Sequence, residues 1–377
     1  MGDLGIIPDG ALLLKDGLID EVGPTRRVEN LLKARGARVI DATGKVVMPG
    51  FVDAHTHLMF PQPQAGDAPP GVEIDIDIDR AARSLVSITA QRLAVRGRVW
   101  LDAMARHGTT TLEAKTGCGP NDSAGMKVLR VLKVLNKGPL DIVPTYLFRA
   151  GTAEDAEHVF GDLLFHIRRR RLARFADLEW DPEPWRQELF RRFLVVAREL
   201  GFGCKVHADH AMPAPAVRLA VEQQAVSVDH LEHIGLAEVQ ALACSQTVAT
   251  LLPGASFRSG RYAPARALID AGAAVAIATN FNPCDAPSLN MQTAISLACL
   301  AMRMSPAEAI SAATVNAAHA IGCADRGFLA YGKLADILML NAGDYRELPE
   351  QLGTNLVHLT MKRGKVVYRE GEVAEGD

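Results

Sequence analysis

Apolar and polar positions alternate in two rhythms along this chain. Eight short apolar runs, at residues 50–57, 109–115, 142–148, 173–180, 204–208, 226–230, 248–253 and 275–279, read as buried strands. Between most of them apolar residues recur at three- and four-residue spacing, as at Met126, Leu129, Leu132 and Leu135, which predicts helices. A further helix, rich in Arg and Phe, is expected over 185–200. Strand and helix alternating eight times favours an α/β chain closed as a parallel, TIM-like (β/α)8 barrel over an open doubly wound sheet. In such a barrel chemistry gathers at the C-terminal strand ends. Those ends carry His55 and His57, Glu113 and Lys115, His207 and Asp209, Asp229 and His230, and Asn280 and Asn282. Residues 61–70, rich in Pro and Gln, follow the first of these ends and are expected to form a loop able to cover the site.

The two ends of the chain have a different texture. Residues 11–22 read as a hairpin across Lys15-Asp-Gly17, because Asp-Gly supplies the positive φ of a tight turn. Short strands are expected at 37–41 and 45–48, and again at 335–340 and 357–368 around an Arg-Gly-Lys turn. This predicts one small β-sandwich domain built from both termini, residues 1–48 plus 327–377, around a barrel of residues 49–326.

Composition narrows the function. The 377 residues are 48% hydrophobic and 23% charged, a profile of a globular protein with one large and one small domain. A net charge of -3 argues against a nucleic-acid surface, and the run Arg168 to Arg171 is expected on a solvated helix face. Six cysteines without C-x-x-C spacing suit reduced thiols rather than a disulfide framework. No apolar stretch approaches the roughly 18 residues of a membrane span, and the N-terminus lacks the features of a signal peptide. The expectation is a cytoplasmic protein acting on a small molecule, with no nucleic-acid or membrane partner. Barrels of this type commonly pair, so a homodimer is an expectation by analogy.

The candidate chemistry begins at Pro49-Gly-Phe-Val-Asp-Ala-His-Thr-His-Leu58. In extended chain, residues i and i+2 share a side, so His55 and His57 project together, as two ligands of one metal ion do. A bare His-x-His also fits solvated or core histidines. The whole string resembles the first-strand signature of the amidohydrolase superfamily, and in that context the pair is expected to bind metal. His207, at the polar end of Cys204-Lys-Val-His-Ala-Asp-His210, is the expected third ligand. Neutral imidazoles suit one divalent Zn or Fe ion, and three of them leave a position open. His230, in Ser227-Val-Asp-His-Leu-Glu-His233, is placed to hydrogen-bond the reacting groups. Asp229 either orients a ligand imidazole or caps a turn.

Further motifs sharpen the resemblance. Gly108-Thr-Thr-Thr-Leu-Glu-Ala-Lys-Thr-Gly117, Leu251-Leu-Pro-Gly-Ala255, Ala278-Thr-Asn-Phe-Asn-Pro283, Ala313-Thr-Val-Asn-Ala-Ala-His-Ala-Ile-Gly322 and Tyr331-Gly-Lys-Leu-Ala-Asp336 all look like imidazolonepropionase. The resemblance spans nearly the whole chain and is weakest at 61–100 and 150–200. It implies a barrel with a β-sandwich, one Zn or Fe ion, and hydrolysis of a cyclic amide, imidazolone-5-propanoate to N-formimino-L-glutamate. It also exposes departures at working positions. The eighth-strand Asp of the family, a metal ligand and proton acceptor, is Asn280 here. An amide oxygen can ligate but cannot take a proton at neutral pH. The family's Glu or Gln after His207 is His210, which leaves His210 or His230 as the expected base. No Arg lies between Phe60 and Ile78 to hold a propionate, Cys118 stands at a Tyr position, and Cys284-Asp285 follows Asn282-Pro283. The third-strand His is replaced by Ala150, with Arg149 beside it as either a substitute cation or a surface ion pair.

Candidate substrate contacts are therefore Lys115, Cys118, Arg149, His210, Asn282 and Asp285. The expected metal set is His55, His57 and His207, with Asn280 as a weak fourth ligand, and the expected catalytic set is His230, His210 and Asn280. The function expected first is metal-dependent hydrolysis of a cyclic amide C–N bond. Two alternatives stand beside it: a related amidohydrolase or deaminase acting on a neutral or cationic ring, and a homologue disabled by Asn280 that binds metal or ligand without turnover.

Overall fold

The computed structural model describes residues 2–61, 78–117, 122–149, 152–180, 186–208, 215–283 and 286–372. The opening hairpin pairs β1 (Gly10–Lys15) with β2 (Leu18–Pro24), and Asp16 and Gly17 both take positive φ, 52° and 80°. Strand β3 (Val46–Pro49) follows. Residues 37–41, expected as a strand, form none. Val39 is 86% exposed, and Asp41 instead accepts from the backbone N–H and hydroxyl of Thr43, a local turn that needs no sheet partner.

The barrel contains β4 (Phe51–Asp53), β5 (Thr109–Lys115), β6 (Asp141–Phe148), β7 (Phe175–Glu179), β8 (Gly203–Ala208), β9 (Ser227–His230), β10 (Val248–Leu251) and β11 (Val275–Ile277). Each pairs in parallel with the next, in chain order. All eight expected strands are present. The first and last meet through a Thr56–Phe281 bridge and a His57 N–H donated to Phe281 O at 2.7 Å. Alternation turns Glu113 and Lys115, Asp177, Lys205 and His207, and Asp229 to one side of their strands. Leu112 and Ala114, Ala176 and Leu178, Cys204 and Val206, and Val228 join the apolar clusters. Outside β6 the apolar layer includes Phe148 stacked on Phe193 from the helix Arg186–Glu199, ring centroids 4.8 Å apart. Arg168 to Arg171 are exposed, as a solvated face requires.

After the barrel come β12 (Ile337–Leu340), β13 (Val357–Lys362) and β14 (Lys365–Arg369), which with β3 form a four-stranded antiparallel sheet. The Pro49–Gly50 break therefore separates two sheets: β3 ends in one and β4 begins the other. Gly50 is needed there because a Cβ would lie 2.2 Å from Thr110 Cγ2. Among the described residues, no helix is long and apolar enough to cross a membrane.

Candidate metal centre and active site

The site forms where the barrel closes. Asp53, at the end of β4, accepts from Thr279 N–H at 3.0 Å and from Thr279 Oγ1 at 2.6 Å. Thr279 Oγ1 in turn accepts from Phe281 N–H at 3.0 Å. These bonds stand in for a backbone ladder at the seam and set Asn280 at the end of the eighth strand. Asn280 is 8% exposed and takes φ of 56°, a left-handed conformation that Asn and Asp tolerate better than other side chains.

His55, His57 and His207 each bring one ring nitrogen within 4.8 Å of the others. His55 Nδ1–H donates to Asp229 Oδ2 at 2.8 Å, which leaves Nε2 with a free lone pair. That nitrogen lies 3.3 Å from His57 Nε2. Burial first, and then the Lys115 ammonium, hold His55 and His207 well below the usual imidazole pKa; burial and then His55 do the same for His57. His57 Nδ1 and both ring nitrogens of His207 are buried without a hydrogen-bond partner among the described residues. His207 Nδ1 is 3.1 Å from Asp177 Oδ2, but not aligned for a hydrogen bond. Three neutral imidazoles with unsatisfied nitrogens fit a divalent ion. Two nitrogens about 2.0–2.1 Å from one ion at a tetrahedral angle stand about 3.3 Å apart, the spacing His55 and His57 have.

Against these rings lies a buried layer of alternating charge. Lys115 Nζ donates to Asp229 Oδ2 at 2.9 Å and to Asp177 Oδ2, and lies 3.2 Å from Glu113 Oε2. Lys205 Nζ donates to the same Glu113 oxygen at 2.6 Å, and Thr145 Oγ1 donates to Glu113 Oε1 at 2.5 Å. Ser227 Oγ donates to Asp229 Oδ1 at 2.8 Å. Burial resists charge on Asp229, but Lys115 and Lys205 outweigh it and hold the carboxyl well below its usual range. Burial pushes Asp177 the other way.

His230 closes the group, its ring centroid 5.6 Å from that of His55 and 5.5 Å from that of His207. Its Nδ1 is 3.6 Å from Glu232 Oε2, and Ser256 Oγ donates to Glu232 Oε1 at 3.0 Å. Burial lowers the proton affinity of His230, but Glu232, joined by Asp229 and Glu179, outweighs it, so the net shift is upward. Lys115, expected from the sequence as a substrate contact, is 1% exposed and turns its ammonium into the carboxylate layer. Arg149 forms an ion pair with Glu179. Asn282 is buried, and its backbone pairs with Ala286. Cys118, Ala150, Asp209, His210, Cys284 and Asp285, and all of residues 61–70 but Pro61, lie outside the described residues.

Comparison with known proteins decides the family. Models described as amidohydrolase family match residues 38–72 and 196–367. A curated imidazolonepropionase of Symbiobacterium thermophilum is 36% identical, covering 99% of this chain and 93% of its own. One of Deinococcus radiodurans is 38% identical, covering 95% and 92%. The chain belongs to the imidazolonepropionase family. A zinc-bound adenosine deaminase from Xanthomonas campestris shares the fold at a TM-score of 0.74 and 19% identity, covering 98% of this chain and 90% of that one.

As a member of the imidazolonepropionase family the chain is a hydrolase. Sequence reasoning missed Asp177 and Lys205 as parts of the site. Each is a charge at an alternate position inside an otherwise apolar strand, and that was the available signal. It also missed the Asp53–Thr279 seam, which joins residues far apart in the chain.

Proposed function

We propose that this member of the family opens a cyclic amide C–N bond by metal-dependent hydrolysis, as in the conversion of imidazolone-5-propanoate and water to N-formimino-L-glutamate. The observation that carries this is the convergence of His55, His57 and His207 on one point, with His230 beside them. The three imidazoles hold one divalent ion, zinc or iron, and the Asn280 amide oxygen is the weaker fourth donor. The bound zinc of the Xanthomonas deaminase supports zinc as the first choice. When bound, such an ion lowers the pKa of a water toward neutrality and polarises a carbonyl. Asp229 holds His55 in the tautomer whose Nε2 is free to ligate. His230, its proton affinity raised by Glu232, donates a hydrogen bond to the reacting carbonyl oxygen. Asn280 cannot receive the proton released by attack, so His210 is assigned as acceptor. The setting is the cytoplasm, in histidine breakdown.

One observation favours a second substrate class. Arg149 is engaged by Glu179, which leaves less positive charge for a propionate and supports a neutral or cationic ring.

Metal content and imidazolone-5-propanoate hydrolysis of the chain and of Asn280→Asp test the proposal together. About one equivalent of metal is expected in both forms, with hydrolysis by the chain itself and a faster rate in the Asp variant, whose carboxylate adds a second proton acceptor. Metal with no hydrolysis by either form moves the substrate to another ring, or to binding without turnover. No metal in either form overturns the proposal.

A further inference from the structure

Besides the three histidines, a second buried group brings metal-ligating atoms together: Asp177, His207 and Asp229, each within 4.8 Å of the others. It shares His207 with the first group, so the barrel carries the outline of a two-ion centre. The second position already has a cation next to it. Lys115 Nζ contacts Asp177 Oδ2 and lies 2.9 Å from Asp229 Oδ2. Resting on the metal proposal above, we infer that Lys115 fills the second cation position with its own ammonium and so limits the barrel to one divalent ion.

Charge and enclosure support this. Glu113, Lys115, Asp177, Lys205 and Asp229 are all at most 1% exposed, so water does little to screen them. Three carboxyl groups face two ammoniums, an excess of one acid. Without Lys115 the excess is two, which one divalent ion would balance. A lysine also cannot be lost to solution as an ion can. It fixes Asp229, which orients His55, whether or not the first position is filled. Lys115 is thus a positioning residue that touches no substrate.

Zinc alone is the probe. The metal-free whole chain is dialysed against rising zinc and the bound metal is counted. One equivalent is expected for the wild type, two for Lys115→Met, and one again for Lys115→Met combined with Asp177→Asn. Two equivalents in the wild type, or one in a folded Lys115→Met, overturn the inference. If Lys115→Met lacks the near-ultraviolet circular dichroism of a packed core, Asp177→Asn alone decides. It keeps the lysine and removes one acid, so zinc affinity measured by chelator competition is expected to fall at least tenfold; unchanged affinity overturns the inference. A wild type that binds no zinc overturns the metal proposal itself, a failure distinct from a wild type and Lys115→Met that both bind one.

Discussion

A single carboxylate oxygen, Asp229 Oδ2, accepts from His55 Nδ1 at 2.8 Å and from Lys115 Nζ at 2.9 Å. The imidazole is thereby fixed in ring orientation and tautomer by a group outside the three-histidine set. Asp229→Asn keeps the volume but weakens both bonds, and zinc affinity is expected to fall about 10–100-fold in a chelator competition. Asn280 poses the converse case, where backbone rather than charge limits the choice of side chain. Its φ of 56° suits Asn and Asp. Asn280→Asp is therefore expected to leave the thermal midpoint nearly unchanged. Asn280→Ala is expected to cost about 1 kcal/mol, read from denaturant unfolding.

At the scale of elements, the break at Pro49–Gly50 lets one run of apolar chain serve two sheets. Gly50→Ala would set a methyl 2.2 Å from Thr110 Cγ2, on a strand fixed on both sides. A loss of about 1–3 kcal/mol is expected, measurable as a lower urea midpoint. The barrel strands were legible in the sequence because each is a short apolar run with a polar end. His55, His57, His207 and His230 were legible for the same reason: they stand at those ends. The buried charges were not, because their meaning lies in their partners. Lys115 meets Asp177 and Asp229 from 62 and 114 residues away, and Lys205 meets Glu113 from 92. An apolar run can also mislead. Residues 37–41 have strand composition but no sheet edge beside them, and Val39 remains 86% exposed.

Across the whole molecule, barrel and antiparallel sheet are joined by a cluster of ions. Asp141, at the start of β6, pairs with Arg326, with Lys362 at 2.9 Å and with Arg363 at 2.8 Å; Lys362 also bonds Asp336 at 2.5 Å. Asp141→Asn leaves three cations short of one partner, two of them largely buried, and is expected to cost about 3–5 kcal/mol of stability. Burial raises the Asp141 pKa, but Lys362 and Arg326 lower it further, to about 2. The folded value lies below the unfolded value of about 3.9. The charged form therefore stabilises the fold fully above about pH 4, and that contribution is lost as pH falls toward 2. Acid unfolding of the wild type should show this loss between those limits, and Asp141→Asn should lack it.

The four-stranded sheet also pairs Pro49 with Ile337, 288 positions later in the chain. During synthesis at about 5–20 residues per second, β3 waits roughly a quarter of a minute to a minute for that partner. For that interval Val46 to Met48 present an apolar edge with unpaired peptide groups, the surface on which nascent chains associate wrongly. The strand just ahead of the one that leads to His55 and His57 is thus a segment in need of protection before the chain leaves the ribosome.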